Sequence, residues 1–312
     1  MNPYLLMGLS MAVALLSGVG TKLYLNKYNK GLGTRYLFAT VQTLLAVITL
    51  LIIGGNFNVS VFTLLLGLGF GLLTGIQKVF SMKALEIGPW AYTTVISSLS
   101  TIIPTLSGAI IWGEELKWLQ IVGVVLMMVC IYFSVDFKKE KQQPQLASQE
   151  EKPKNKATVK WLIFCGISFL ATGFIGVFQK WHQKTDYRSE SAMFLIIAFI
   201  VTILVNGVLA IKGCKQEGGV KAFKPALSII PIAIMVLSGV AVALNNKWNL
   251  HLSGVLPSVV MFPVVNGGGL ILTTLFATFV FREKLTLKQW IGMAIGFISL
   301  FLICFDFSIL FS

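Results

Sequence analysis

The sequence predicts an all-α, polytopic membrane protein with ten transmembrane helices, arranged as two inverted repeats of five helices. Three observations lead to this prediction. Hydrophobic residues make up 56% of the 312-residue chain and charged residues only 12%, whereas charged residues approach about 25% in soluble domains. Ten stretches are apolar and long enough to cross a bilayer, which takes about 20 residues of helix. Finally, a segment of the first half of the chain recurs in the second half.

The ten apolar stretches define the elements in chain order. The first follows Met1–Tyr4 without a basic region or a small-residue cleavage site. We therefore expect a retained helix there and not a cleaved signal peptide. By hydropathy the stretches cover residues 4–21, 36–54, 60–80, 89–112, 118–136, 160–179, 191–211, 226–245, 255–280 and 288–310.

Glu114 and Glu283 lie in near-duplicate contexts, GEELKWLQIVG and REKLTLKQWIG. The alignment divides the chain into a first repeat, residues 1–136, a lysine-rich flexible linker, 137–159, and a second repeat, 160–312. An odd number of helices per repeat requires the second repeat to insert upside down. In secondary transporters built from inverted repeats, the substrate site lies near the bilayer midplane between the repeats.

The formal net charge of +13 is concentrated between the apolar stretches, so we expect no nucleic-acid partner. Counted over alternate loops, one side carries 20 Lys and Arg residues and the other five. The positive-inside rule places the linker in the cytoplasm and both termini outside.

Two polar stripes mark candidate substrate-binding helices. Thr94, Ser98 and Thr101 recur on one face of the fourth stretch, and Asn266 and Thr273 lie at matching positions of the ninth. Hydroxyl and amide groups facing a wet cavity would bind a polar solute. Alternatively, small polar residues allow helices to pack closely.

Other residues extend the candidate site. Gln77 and Asn245 are amides at matching places in two stretches, and Trp90 is a candidate cavity wall; interfacial solvation and an aromatic belt are the alternatives. Helix-breaking residues in the fourth and ninth stretches indicate either hinges or static kinks. These candidate hinge residues are Pro104, Pro263, Gly267, Gly268 and Gly269.

The remaining titratable residues suggest structural roles. Glu114 and Glu283 are interpreted as capping or tethering helix junctions. His182 and His251 fall in expected loops and receive no role. The four cysteines show no metal spacing, and we expect neither a metal site nor a cofactor. No catalytic constellation or phosphate-binding loop occurs, so the sequence does not predict an enzyme.

Two segments resemble the ten-helix EamA-type members of the drug/metabolite transporter superfamily: Pro104–Gly123 and Pro257–Gly292. Their most specific parts are Gly113-Glu114 and Phe281-Arg282-Glu283. The resemblance covers nearly the whole chain. It implies a transport fold and substrates ranging from sugars and amino acids to nucleotides, vitamins and toxic compounds.

The first helix is also similar to that of small multidrug resistance proteins, in which an embedded glutamate binds protons and cationic drugs. Ala14 occupies that position here, and Thr172 occupies the counterpart in the second repeat. The resemblance therefore does not carry the proton-exchange mechanism with it.

The sequence thus predicts a secondary transporter, in the exporting direction, for a small polar or amphipathic metabolite or drug. The expected partners are that small molecule and membrane lipids, with the chain a monomer or a homodimer in a bacterial plasma membrane. Proton coupling through Glu114, Asp136 or Asp306 stays open beside facilitated diffusion. The alternative function is a lipid flippase or scramblase, or a non-transporting membrane receptor.

Overall fold

The computed structural model describes residues 2–28, 31–87, 90–134, 154–216, 228–280 and 286–304. These residues form twelve α-helical segments, with a short 3₁₀ helix at Asp186–Glu190 and a π-helical turn at Val264–Gly268. The segments are α1 (Pro3–Tyr28), α2 (Leu32–Ile53), α3 (Val61–Ile87), α4 (Trp90–Leu99), α5 (Ile102–Trp112), α6 (Trp118–Ser134), α7 (Lys154–Gln183), α8 (Ser191–Gln216), α9 (Ile229–Val255), α10 (Ser258–Pro263), α11 (Gly269–Val280) and α12 (Leu287–Cys304).

The prediction of an all-α, multi-pass membrane protein is confirmed. Within the described residues, eight helices are long and apolar enough to cross a membrane. Two shorter apolar helical stretches, Ile96–Trp112 and Trp118–Phe133, bring the number to the ten that hydropathy predicts. The inverted arrangement of the two repeats stays a prediction.

Several helices are longer than their apolar stretches. α3 reaches Ile87, and α9 continues to Val255, two residues before Pro257. α7 begins at Lys154, within the segment expected as linker. Hydropathy marks only the part of a helix that suits lipid. The backbone stays helical until a residue such as proline stops it.

His182 and His251 correct the sequence interpretation. Both were expected in loops, but His182 lies in α7 and His251 in α9. His182 is fully buried, whereas His251 is exposed. The polar residues around each histidine lower the local hydropathy without ending the helix, which is why the apolar windows stop short of both.

The chain forms two compact units, and each unit contains residues from both predicted repeats. The first unit comprises Met1–Gly75 and Phe178–Val255. Within it, α1 packs on α9, and α2 packs on α8 and α9. The buried side chains of Tyr24, Phe38 and Met235 form a core cluster there.

The second unit comprises Ile76–Val177 and Leu256–Ser312. α6 packs along α12, and α5 packs on α10. Its core cluster contains Met127, Cys130, Ile131 and Ile271, all nearly inaccessible to solvent. This unit also holds the cavity described next.

Candidate functional site

A cavity of about 450 Å³ lies within the second unit. Its volume is within the range of about 300–1,000 Å³ that small-molecule sites occupy. Of the ten lining residues in the described part of the chain, nine carry a hydroxyl or an amide, and none of the ten carries an ionisable group. The lining residues are Gln77, Ser81, Thr93, Ser97, Ser98, Ser100, Thr101, Thr172, Asn266 and Leu270.

The break between α4 and α5 supplies the densest group of hydroxyls. Around it, the Ser100 N–H donates to Ser97 O at 3.3 Å and the Thr101 N–H donates to Ser98 O at 3.4 Å. These bonds span three residues, as in a 3₁₀ helix, and not four. Pro104 explains the change, because its ring would clash with the carbonyl four residues earlier and it has no N–H to donate. Tightening the turn brings both adjacent pairs, 97–98 and 100–101, onto the cavity wall.

The π-helical turn at Val264–Gly268 shapes the opposite wall. Pro263 ends α10 and is followed directly by the wider turn. Gly267 then faces α6, where an added Cβ would lie 2.7 Å from Cγ of Met127. A larger residue at this position would require the Met127 side chain to move. The turn leaves Asn266 exposed beside the cavity.

One hydrogen bond joins these two interruptions. The side-chain amide of Asn266 donates to the Thr101 hydroxyl oxygen. The Thr105 hydroxyl in turn donates to the Thr101 carbonyl at 2.7 Å. Residues of the two polar stripes, 165 positions apart in the sequence, therefore meet at the cavity.

α7 closes another side of the cavity through small residues. Thr172 lines it, and its hydroxyl donates to Ser168 O at 2.7 Å. One turn further on, an added Cβ on Gly176 would lie 2.7 Å from Cβ of Pro104. Small residues of this kind let helices approach closely in membranes. Thr93 is fixed from the same helix, because the Trp161 indole N–H donates to its hydroxyl at 2.9 Å.

The chemistry of the cavity is that of a neutral hydrogen-bonding site. Hydroxyls and primary amides donate and accept at once, and Leu270 supplies an apolar surface. A solute with several hydroxyl or amide groups could satisfy such a wall. A charged solute would lack a counter-charge among the lining residues, and burying an unpaired charge is costly.

The structure brings four of the predicted substrate-binding residues together at this cavity: Gln77, Ser98, Thr101 and Asn266. Thr273 is exposed, and its hydroxyl donates to Gly269 O at 2.8 Å within its own helix. The side chains of Trp90 and Thr94, both predicted site residues, lie outside the described residues.

Asn245, also predicted to bind substrate, belongs to the first unit. Its amide donates to the carbonyl and the hydroxyl of Ser10, at 2.9 and 3.0 Å. Asn249 completes the cluster by donating to Asn245 Oδ1 at 3.2 Å. These bonds tie α9 to α1.

The other predicted residues fall at helix boundaries. Pro104 follows the α4–α5 break. Pro263 directly precedes the π turn, Gly267 and Gly268 lie in it, and Gly269 follows it. Glu114 accepts the backbone N–H of Ser258, the first residue of α10, at 2.7 Å. Glu283 lies outside the described residues.

Sequence reasoning missed six lining residues: Ser81, Thr93, Ser97, Ser100, Thr172 and Leu270. A signal existed for the serines, because four hydroxyl residues within positions 97–101 are unusual in an apolar helix. The stripe that contains Ser98 and Thr101 leaves out Ser97 and Ser100, because neighbouring residues of a helix point about 100° apart. Thr172 could have been found as well, since the sequence comparison already makes it the second-repeat counterpart of Ala14.

Comparison with known proteins supports the fold alone. No protein-family model matches the sequence, and no curated protein matches it either. Twenty-seven chains of solved structures match. One of them, described only as a protein crystal structure, aligns with a TM-score of 0.66 over 96% of this chain and 95% of its own, with 13% identical residues. The chain is therefore similar in fold to a solved structure over nearly its whole length.

Proposed function

We propose that this protein is a secondary transporter that moves a small, uncharged, polar metabolite across the membrane by alternating access, in the exporting direction. The observation that carries the proposal is the cavity of about 450 Å³, walled by hydroxyls and amides, in a protein built from membrane-crossing helices. Placing polar groups inside a bilayer costs free energy unless they are hydrogen-bonded, and polar residues there often mark substrate or ion pathways. A wall of nine such residues is best explained by a polar solute that they bind.

The interrupted helices add support. The α4–α5 break and the π turn both border the cavity. Irregular backbone at membrane depth is tolerated where it lines a cavity, and discontinuous helices form the substrate sites of many secondary transporters. The two interruptions could therefore change angle as the cavity opens and closes.

The first experiment identifies the solute class. The purified protein in detergent is unfolded thermally in the presence of sugars, nucleosides, amino acids, polyamines and lipophilic cations. A ligand that binds only the folded state stabilises it by about 2.7 kcal/mol at a hundredfold excess over its Kd. We expect stabilisation by an uncharged polyhydroxylated or amide compound and none by the cations.

The second experiment tests the site. Uptake of the stabilising compound into proteoliposomes is measured for Ser98→Leu and Asn266→Leu, which replace cavity hydrogen-bonding groups by apolar ones. We expect each variant to lower the initial flux at least tenfold, equivalent to about 1.4 kcal/mol. Thr278→Leu is the matched control: it lies in α11, is not a lining residue, and its hydroxyl donates to Thr274 O at 2.9 Å.

Unchanged flux in both cavity variants would remove this cavity from the transport path. If no soluble compound stabilises the protein or enters the vesicles, the alternative of lipid movement becomes testable in the same vesicles. Transfer of a fluorescent phospholipid between leaflets would then support a flippase or scramblase, and its absence a receptor.

A further inference from the structure

A second polar cluster lies in the first unit, where α7, α8 and the 3₁₀ helix between them meet the start of α3. Its central side chains are His182 and Glu190, which are almost completely buried. Both belong to segments long and apolar enough to cross a membrane. Both lie near the ends of these segments, His182 in Val159–Gln183 and Glu190 in Asp186–Gly213. Buried ionisable side chains on membrane-crossing helices are rare and are candidates for ion or proton sites.

Two hydroxyls connect the imidazole with the carboxylate. His182 Nε2 lies 3.4 Å from the Thr63 hydroxyl oxygen. The Thr63 hydroxyl oxygen lies 3.1 Å from the Ser60 hydroxyl oxygen. Glu190 Oε2 further accepts the hydroxyl and the backbone N–H of Ser60, at 2.8 and 2.9 Å. We call His182, Thr63, Ser60 and Glu190 the His182–Glu190 network.

The donors assign the proton positions in this network. The Gln183 amide lies 3.2 Å from His182 Nδ1 and also donates to the Ser191 hydroxyl at 2.8 Å. An amide nitrogen only donates, so Nδ1 accepts and the neutral ring carries its hydrogen on Nε2. That N–H donates to Thr63, whose hydroxyl is hydrogen-bonded to that of Ser60, and the Ser60 hydroxyl donates to Glu190. The carboxylate thus accepts two hydrogen bonds, from the backbone N–H and the hydroxyl of Ser60, which favour its ionised form.

A cavity borders the network. A cavity of about 320 Å³ is lined by Gln183, Lys184, Thr185, Asp186, Arg188 and Gly254. The Gln183 side chain lies between this cavity and His182 Nδ1. A change of its rotamer would expose Nδ1, the one ring nitrogen able to accept a proton, to cavity water.

We propose that the His182–Glu190 network is a proton-binding site in the first unit. The proton passes from hydronium or a buffer acid in the cavity to His182 Nδ1, leaves by the same route, and its charge is balanced by the Glu190 carboxylate. Glu190 also holds the first turn of α3, so the charge state of the network acts on a junction between elements. The existence of this proton-binding site does not depend on the proposed transport. Only a role of the bound proton in driving transport would depend on it.

Other ionisable groups lie on the elements around the network. On the same stretch of chain the ionisable groups are Lys180, which is buried, and Lys184, Asp186, Tyr187 and Arg188, which are exposed. From α3 the network faces Ser60 and Thr63, and from α8 it faces Phe194, whose ring stacks on His182 at 4.5 Å. α9 contributes Gly254 beside Gln183, and the ionisable residue one turn earlier is the exposed His251.

The test uses the full chain in nanodiscs, labelled with ¹³C and ¹⁵N at histidine. The sequence contains only two histidines, so exposed His251 serves as an internal reference, and His251→Gln assigns the signals. Between about pH 3 and 8 we expect the His182 signal to titrate. In Glu190→Gln its midpoint should move by at least about 0.5 pH unit, because the interacting charge is gone, while that of His251 stays in place.

Asp186→Asn is the matched control: it removes an equal charge from the same turn, but from an exposed position where solvent screens it. Its effect on the His182 midpoint should be below about 0.2 pH unit. Thr63→Val removes the bridging hydroxyl while keeping the shape of the side chain. The His182 midpoint in this variant should differ from that of the wild type, which keeps the test available even if Glu190→Gln fails to fold. A His182 signal that does not titrate, or identical midpoints in wild type and these network variants, would overturn the proposal. Neither readout requires a transported solute, so failure of the transport proposal leaves this test intact.

Discussion

At the residue scale, each unit contains a glutamate that caps a helix distant in sequence. In the second unit Glu114 accepts the N–H of Ser258 at the start of α10. In the first unit Glu190 accepts the N–H of Ser60, which precedes α3. A carboxylate satisfies an orphan donor and interacts favourably with the positive end of the helix dipole.

Removing the first of these caps should cost stability. We expect Glu114→Ala to lower the free energy of unfolding by about 1–2 kcal/mol, because the Ser258 N–H loses its acceptor. The measurement is denaturant unfolding in detergent. Glu115→Ala is the control, since Glu115 is the neighbouring glutamate and is exposed; its effect should stay within about 0.5 kcal/mol. Equal losses in both variants would show that general charge, and not the cap, matters.

At the element scale, packing of α7 against α5 depends on the absence of side chains. Gly176→Ala would place a Cβ 2.7 Å from Cβ of Pro104 and 3.0 Å from Cε1 of Phe262. Overpacking of this kind costs about 1–3 kcal/mol. Gly166→Ala in the same helix meets nothing within 4 Å and should be neutral or gain up to about 1 kcal/mol from helix propensity. Thermal unfolding of the two variants distinguishes these effects, and a stabilised Gly176→Ala would contradict the packing argument.

The bond between the two helix interruptions is also measurable. In a double-mutant cycle, Thr101→Val and Asn266→Ala should show a coupling of about 0.5–1.5 kcal/mol in unfolding free energy, because each removes one partner of the same hydrogen bond. Thr101→Val combined with Thr278→Val should be additive, since the Thr278 hydroxyl bonds within its own helix. Additivity in both cycles would mean that Asn266 and Thr101 act independently.

At the scale of the whole molecule, the charge bias of the loops predicts the orientation in the membrane. In a background with the four cysteines replaced, single cysteines are introduced at positions 56, 115 and 186 and at positions 148 and 218. A membrane-impermeant thiol reagent applied to intact cells should label the first three positions. The other two should react only after permeabilisation, because the lysine-rich loops stay in the cytoplasm. The reverse pattern would place both termini inside.

The positions of helix interruption were predictable, because their causes are local. Pro104 cannot donate a backbone hydrogen bond, and the Pro263 and Gly267–Gly269 run weakens the ninth stretch wherever it lies. The form of each interruption was not predictable. In one helix a tight 3₁₀-type turn precedes Pro104, and in the other a wider π turn follows Pro263. Contacts such as that of Gly267 with Met127 come from elsewhere in the fold.

The sequence by itself determined the all-α architecture and the number of membrane-crossing helices. Both follow from the requirement that each backbone segment in lipid satisfy its own hydrogen bonds, which is decided within about 20 residues. Only the tertiary structure decided which polar side chains meet. It joined Asn266 to Thr101 at one cavity, placed Asn245 in a separate cluster with Ser10, and buried His182 beside Glu190. Those meetings depend on the rotation and depth of each helix against its neighbours, which long-range packing fixes and local hydropathy does not encode.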